Sequence, residues 1–145
     1  MHGITNYPVL LVEDNPDDVL ITRRAWKKGG LKNQLYVVNN GEDALRFLNR
    51  KDEYMDVPTP CLILLDLKMP RMDGFEVLKT IKGDEALRSI PVIVLTSSER
   101  HEDIERAYQL GCNSYIVKPV SFTNFIETIV DLRRFWLTIN KIPEK

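Results

Sequence analysis

What this chain has little of narrows the field first. It holds two cysteines, Cys61 and Cys112, far apart and in no C-x-x-C pair. A disulfide scaffold is therefore excluded, and both are expected as small apolar side chains in a reducing cytoplasm. Neither charge sign dominates: 20 Lys plus Arg stand against 21 Asp plus Glu, a formal net charge of −1. That lacks the basic excess of a nucleic-acid module. No window offers the roughly 20 apolar residues of a membrane span. The start, "MHGITNYPVLLVED", lacks the charged leader, apolar stretch and cleavage site of a secretory signal. The expectations are a cytoplasmic protein with no nucleic-acid and no membrane partner. The two histidines, His2 and His101, are too separated for a metal site and are expected at the surface. Neither G-x-x-x-x-G-K-[ST] nor G-x-G-x-x-G occurs, which argues against a nucleotide enzyme.

What is present fits one domain over 1–145. Apolar segments at Val9–Val12, Cys61–Leu65, Pro91–Leu95 and Ser114–Val117, with a weaker one at Gln34–Val38, are bare runs and not alternations. Such runs suit strands covered on both faces. Helical spacing fills the gaps. Pro16–Gly29 has Asn15 as a cap, Pro16 at the first helical position, Asp17 and Asp18 in the first turn and a Lys27-Lys28-Gly-Gly stop. Gly41–Arg50, Phe75–Lys82, His101–Leu110 and Phe122–Ile139 each carry an apolar stripe, and Lys51–Pro60 reads as a polar loop. The alternation predicts an α/β, doubly wound parallel sheet of five strands with five helices on its two faces.

In such sheets ligands bind beyond the carboxyl ends of the strands. Glu13-Asp14 follows the first strand, Asp66 the third, Thr96-Ser97-Ser98 the fourth and Lys118-Pro119 the fifth. Taken singly, each has an ordinary explanation: a solvated strand end, a helix cap, a turn hydroxyl, an exposed lysine. Together they place three carboxylates, a hydroxyl and an ammonium on one sheet edge. Carboxylates about 4 Å apart repel by about 4 kcal/mol per pair at an effective dielectric near 20. A hard divalent ion such as Mg²⁺ relieves that repulsion. The set suits phosphoryl transfer, where positioning and charge neutralisation supply most of the catalysis.

The segments "LLVEDNPDD", "ILLDLKMPRMDG", "PVIVLTSSE" and "SYIVKPV" resemble, in order and spacing, the receiver domain of two-component response regulators. The resemblance covers nearly the whole chain. "EDNPDD", the loop before the third strand and the ending "FWLTINKIP" look like the small stand-alone regulators that partner phytochrome-type histidine kinases. The resemblance implies a flavodoxin-like sheet of order 2-1-3-4-5. It makes Asp66 the phosphoacceptor for a sensor histidine kinase. It assigns Mg²⁺ to Asp14, Asp66, the Lys68 backbone carbonyl and, through water, Glu13. Thr96 and Tyr115 would form the switch, Lys118 would pair with the phosphoryl group, and the Lys118–Pro119 bond would be cis. Tyr115 has a competing explanation as half-buried packing. Lys68 and Ser98 would flank the path of the water that hydrolyses the phosphoaspartate, with Lys68 paired to Glu13 at rest. Such a protein catalyses only its own phosphorylation and dephosphorylation and is not otherwise an enzyme.

After Pro119 one helix and a short tail remain, too little for an output domain. Phe135, Trp136, Ile139 and Ile142 in the 135–145 tail are read either as a packed helix end or as a homodimer contact, with the second favoured by the subgroup. Two other readings compete. A haloacid dehalogenase-type phosphatase wants an aspartate two residues after its nucleophile, where this chain has Lys68. A receiver-like module working without phosphorylation would not need the complete acid, threonine and lysine set.

Overall fold

The computed structural model describes residues 8–28 and 34–136. Five strands form one sheet: β1 (Val9–Val12), β2 (Leu35–Val38), β3 (Leu62–Leu65), β4 (Val92–Thr96) and β5 (Ser114–Val117). All pairings are parallel, in the order β2-β1-β3-β4-β5. The helices are α1 (Pro16–Lys28), α2 (Gly41–Leu48), α3 (Gly74–Gly83), α4 (His101–Gln109) and α5 (Phe122–Arg134). Both the fold class and the strand order implied by the resemblance stand.

The bare apolar strands are explained by two cores. Leu10, Val12, Ile63, Leu65, Val92 and Val94 face α2, α3 and α4, packing on Phe47, Val77, Leu78, Ile81 and Ala107. Val9, Leu11, Leu62, Leu64, Ile93 and Leu95 face the other way, onto Ala25 and Trp26 of α1 and Phe125, Ile129 and Leu132 of α5. Burying one such side chain contributes about 1.5–3 kcal/mol, so the three central strands carry much of the stability. The helix starts follow the caps: Asn15 Oδ1 accepts from the Asp17 N–H at 2.9 Å, Asp73 Oδ1 from the Glu76 N–H at 3.1 Å and Ser121 Oγ from the Asn124 N–H at 3.4 Å.

Several boundaries differ from the sequence reading. Thr96 is the last residue of β4 and not the first of a loop, because the sheet ladder continues to Val117 opposite it. Lys51–Pro60 is not all loop: Asp52–Tyr54 forms one 3-10 turn, and Tyr54 packs on Phe47 with the rings tilted and their centroids 5.4 Å apart. The α-helical part of α5 ends at Arg134. His2, Ile139 and Ile142 lie outside the described residues.

The order places the chain reversal between β1 and β3, whose crossover helices α1 and α3 pack on opposite faces. Val12 is in register with both Val38 and Leu65, so residues 13 and 66 emerge side by side from the sheet edge. Gly74, where α3 begins, is pressed against this edge. A Cβ built on it would lie 2.2 Å from the Asp66 carbonyl oxygen and 2.6 Å from the Leu67 Cα. Both are backbone atoms that cannot swing away. Gly74→Ala is therefore expected to lower stability by at least about 2 kcal/mol, measured by urea unfolding, with the loss arising from overpacking at the β3–α3 turn.

Candidate functional site

Backbone pairing builds the site. The Glu13 N–H donates to the Val38 carbonyl at 3.0 Å and the Asp66 N–H to the Val12 carbonyl at 3.1 Å, so the ladder continues one residue past β1 and β3. The Lys118 N–H donates to the Thr96 carbonyl at 2.7 Å, which sets the lysine beside the threonine. Glu13, Asp66 and Thr96 are buried polar residues, at 1%, 6% and 0% exposure. Glu13, Asp14 and Asp66 each offer a carboxylate oxygen, and these oxygens all lie within 4.8 Å of one another. Asp14 is the more solvent-accessible of the three.

The Lys118 ammonium reaches into this group. Its Nζ donates to Glu13 Oε1 at 2.6 Å, to Asp18 Oδ2 at 2.7 Å and to Asp66 Oδ2 at 3.4 Å. One ammonium thus serves three carboxylates, and Asp14 stands near Glu13 and Asp66 as a further acid. Burial, then the charge of Asp66, pushes the Glu13 carboxyl up to about 7, and Lys118 offsets this only partly. Burial alone would lower Lys118, but its hydrogen bonds to Asp18 and Glu13 and the charge of Asp66 outweigh it and hold the ammonium firmly protonated. A strongly held lysine beside a carboxylate that prefers its proton looks contradictory only for an isolated pair. Here the lysine is divided among several acids, and the acids collectively lack positive charge.

Those residues fit a divalent cation. The donors are hard oxygens, they converge, and their charge exceeds what Lys118 neutralises. Glu13, Asp14 and Asp66 thus form a carboxylate cluster with the donor chemistry of a divalent-cation site. The Lys68 N–H donates to Asp66 Oδ1 at 3.3 Å, which turns the β3–α3 loop back over the aspartate.

A second set adjoins it. Ser98 Oγ donates to Asp103 Oδ2 at 2.6 Å, and Lys68 Nζ lies 3.5 Å from the same oxygen. The Ser98 bond, helped by Lys68 and Arg100 against burial, holds the Asp103 carboxyl below its ordinary value. The Tyr115 hydroxyl donates to the Ser98 carbonyl at 3.0 Å, and its half-buried ring packs against the first core. The packing role and the tie to the β4–α4 loop therefore coexist.

The structure brings Glu13, Asp14, Asp66, Thr96 and Lys118 together and corrects two expectations. Lys68 pairs with Asp103 and not with Glu13, because Glu13 is buried under Lys118 while the Lys68 side chain is 54% exposed on the rim. The Lys118–Pro119 bond is trans; no described peptide bond is cis. Trans is the favoured isomer by about 0.5–1 kcal/mol, and in it Lys118 makes both its backbone bond to Thr96 and its bonds to the acids. His101 is exposed, 2.9 Å from Glu105. Sequence reading missed Asp18 and Asp103 as participants. Both are first-turn acids, which helix-dipole preference explains without reference to a site.

Residues 9–130 match the profile of the response regulator receiver domain. The chain is 40% identical over 135 residues to the probable methanogenesis regulatory protein FilR2 of Methanothrix harundinacea, covering 93% of this chain and 86% of that one. It is 36% identical over 135 residues to response regulator Rcp1 of Synechocystis sp., covering 93% and 92%. The Mn²⁺-bound form of Rcp1 superimposes with a TM-score of 0.90 at 35% identity, covering 95% and 99%. The phosphorylated cyanobacterial phytochrome response regulator RcpA does so with a TM-score of 0.92 at 34% identity, covering 96% and 99%. Among the described residues no helix is long and apolar enough to cross a membrane.

The Glu13 proton must leave for the cluster to carry its full charge toward a cation. Divalent-cation affinity is therefore expected to rise with pH up to about 7 and level off above it, with Glu13→Gln flattening that rise, as read by calorimetric titration. In the cation-free protein the sign reverses. The folded value of about 7 stands above the ordinary 4.5, so the stability from Glu13 is full below 4.5 and is lost as pH rises through about 7.

Proposed function

The chain belongs to the response regulator receiver family, and on that premise we propose that Asp66 accepts a phosphoryl group from a phosphohistidine of a sensor kinase. A carboxylate oxygen of Asp66 attacks phosphorus, a new O–P bond forms, and the N–P bond of the donor breaks with its electron pair returning to the imidazole, which takes up a proton. The observation that carries this reading is Lys118. It is buried at the sheet edge, closer to Glu13 and Asp18 than to Asp66, at 2.6, 2.7 and 3.4 Å. It is thus one short side-chain movement from the aspartate. Such a lysine can leave one carboxylate for a phosphoryl oxygen without crossing bulk water.

Mg²⁺ would be held by Asp14, Asp66, the Lys68 backbone carbonyl and, through water, Glu13, and would supply charge neutralisation between carboxylates and phosphoryl oxygens. The Mn²⁺-bound form of the related Rcp1 supports a divalent ion at this edge. Thr96 would donate its hydroxyl to a phosphoryl oxygen, and Tyr115 would follow the β4–α4 loop, changing the surface of α4, β5 and α5. The protein would act on no other substrate, catalysing only gain and loss of its own phosphoryl group. It would do so as one receiver domain over 1–145 in the cytoplasm.

The kinase partner would be of the phytochrome type, which the likeness to a phytochrome response regulator supports. A second copy would pack on the C-terminal end, where Phe135 is 47% exposed beside Trp136.

Acetyl phosphate with Mg²⁺ is expected to add one phosphoryl group to the wild type by intact mass, none to Asp66→Asn, and at least about tenfold less to Lys118→Ala at equal times. EDTA is expected to abolish the gain. A phosphoryl group on Asp66→Asn at the wild-type level would sink the assignment.

A further inference from the structure

Lys68 and Ser98 come from different loops, yet both end on one carboxylate. Asp103, in the first turn of α4, accepts the Ser98 hydroxyl at 2.6 Å and lies 3.5 Å from the Lys68 ammonium, with its own side chain 11% exposed. Further contacts tie both loops to the site. The Lys68 N–H touches Asp66 at 3.3 Å, the Ser98 N–H lies 3.5 Å from Thr96 Oγ1, and the Ser98 carbonyl accepts from Tyr115. Asp103 is the member of this set that belongs to α4.

We infer that Asp103 is a positioning residue for the phosphoryl site: it holds the Lys68 ammonium on α4 at rest and yields it when Asp66 is phosphorylated, giving a second route to α4 beside Thr96 and Tyr115. The two bonds on Asp103 are unequal. The Ser98 bond is short and sheltered. The Lys68 contact is longer than the 2.7–2.9 Å of a good charge-assisted hydrogen bond, and the lysine is 54% exposed, so the pair is weakly held. An acyl phosphate on Asp66 carries roughly 1.5 to 2 negative charges in place of the carboxylate's one, on the residue that the Lys68 backbone already touches. The lysine exchanges a single charge held at 3.5 Å for a larger one. Asp103 keeps Ser98 and loses its only ion-pair partner among the described residues. The released ammonium lies against the phosphoryl oxygens and obstructs hydrolytic water.

This rests on Asp66 being the phosphoacceptor, and the test separates the two claims. Asp103→Asn keeps the shape and an acceptor for Ser98 but removes the charge that restrains Lys68. Wild type, Asp103→Asn, Lys68→Met and the double variant are phosphorylated with acetyl phosphate and Mg²⁺ and freed of donor, and the decay is followed by intact mass. Asp103→Asn is expected to lengthen the half-life by roughly threefold or more, while in the Lys68→Met background the same change has no effect, a non-additivity that a purely structural role does not produce. An unchanged half-life in Asp103→Asn, or an equal change with and without Lys68, overturns the inference and leaves the phosphoacceptor intact. No phosphoryl gain by the wild type overturns the reading of Asp66, and the inference with it.

Discussion

The arrangement depends on the register between β1 and β3. Val12 opposes Leu65, so the two chains leave the sheet at the same height and deliver Glu13 and Asp66 next to one another. Nothing in the preference of either carboxylate brings this about, since the two repel. The pairing is enforced from below, where Leu10, Leu11, Ile63 and Leu64 are almost wholly buried on alternating faces. A slip of one residue would turn every one of those side chains into the opposite core. Packing energy in the strands therefore holds a concentration of charge that would disperse in a looser framework.

That stored repulsion has consequences along the edge. Burial and Asp66 drive Glu13 up to about 7 even though a lysine donates to it at 2.6 Å. Lys118 itself is tethered by its backbone to Thr96, so it cannot follow any one acid far. It serves as a shared counter-ion, bonded at once to Glu13 and Asp18 and more loosely to Asp66. A site of this kind responds to added charge by redistributing bonds already made, at low reorganisation cost. The same geometry invites a cation, and the acids that would hold it are the ones the lysine leaves undercompensated.

How much of this could be read from residues alone depended on which atoms set the geometry. Bare apolar runs such as "LILL" declare a doubly covered strand, and the residue after each run must emerge at the sheet edge, so Asp66, Glu13 and Lys118 were legible as a group. Caps at Asn15, Asp73 and Ser121 are local and equally readable. The strand order came from the family resemblance, since alternation alone permits others. Long side chains resisted. Whether the Lys68 ammonium meets Glu13 or Asp103 turns on burial and the placement of α4, neither of which is local to residue 68. Asp18 and Asp103 were hidden because an acid in a first turn already has a sufficient local reason to be there. The trans bond at Pro119 belongs with these, because the difference between isomers is smaller than one hydrogen bond of the surrounding site can supply.

The helices are not held equally, and this decides which of them can respond. Helix α3 buries Phe75, Val77, Leu78 and Ile81, each worth about 1.5–3 kcal/mol against the sheet. Helix α4 buries only Asp103 and Ala107. Its other anchors are polar: Ser98 on Asp103, and Arg106 stacked over the Phe75 ring at 4.2 Å. An element fixed by directional polar contacts at one end and little apolar area lies at the low-stability end of the fold, and changing one of those contacts alters a large share of what fixes it. The charge at Asp66 sits behind a rigid strand, yet it is separated from α4 by two loops whose side chains already meet there. A chemical change too small to disturb the β1–β3 packing is still large relative to the bonds that place α4.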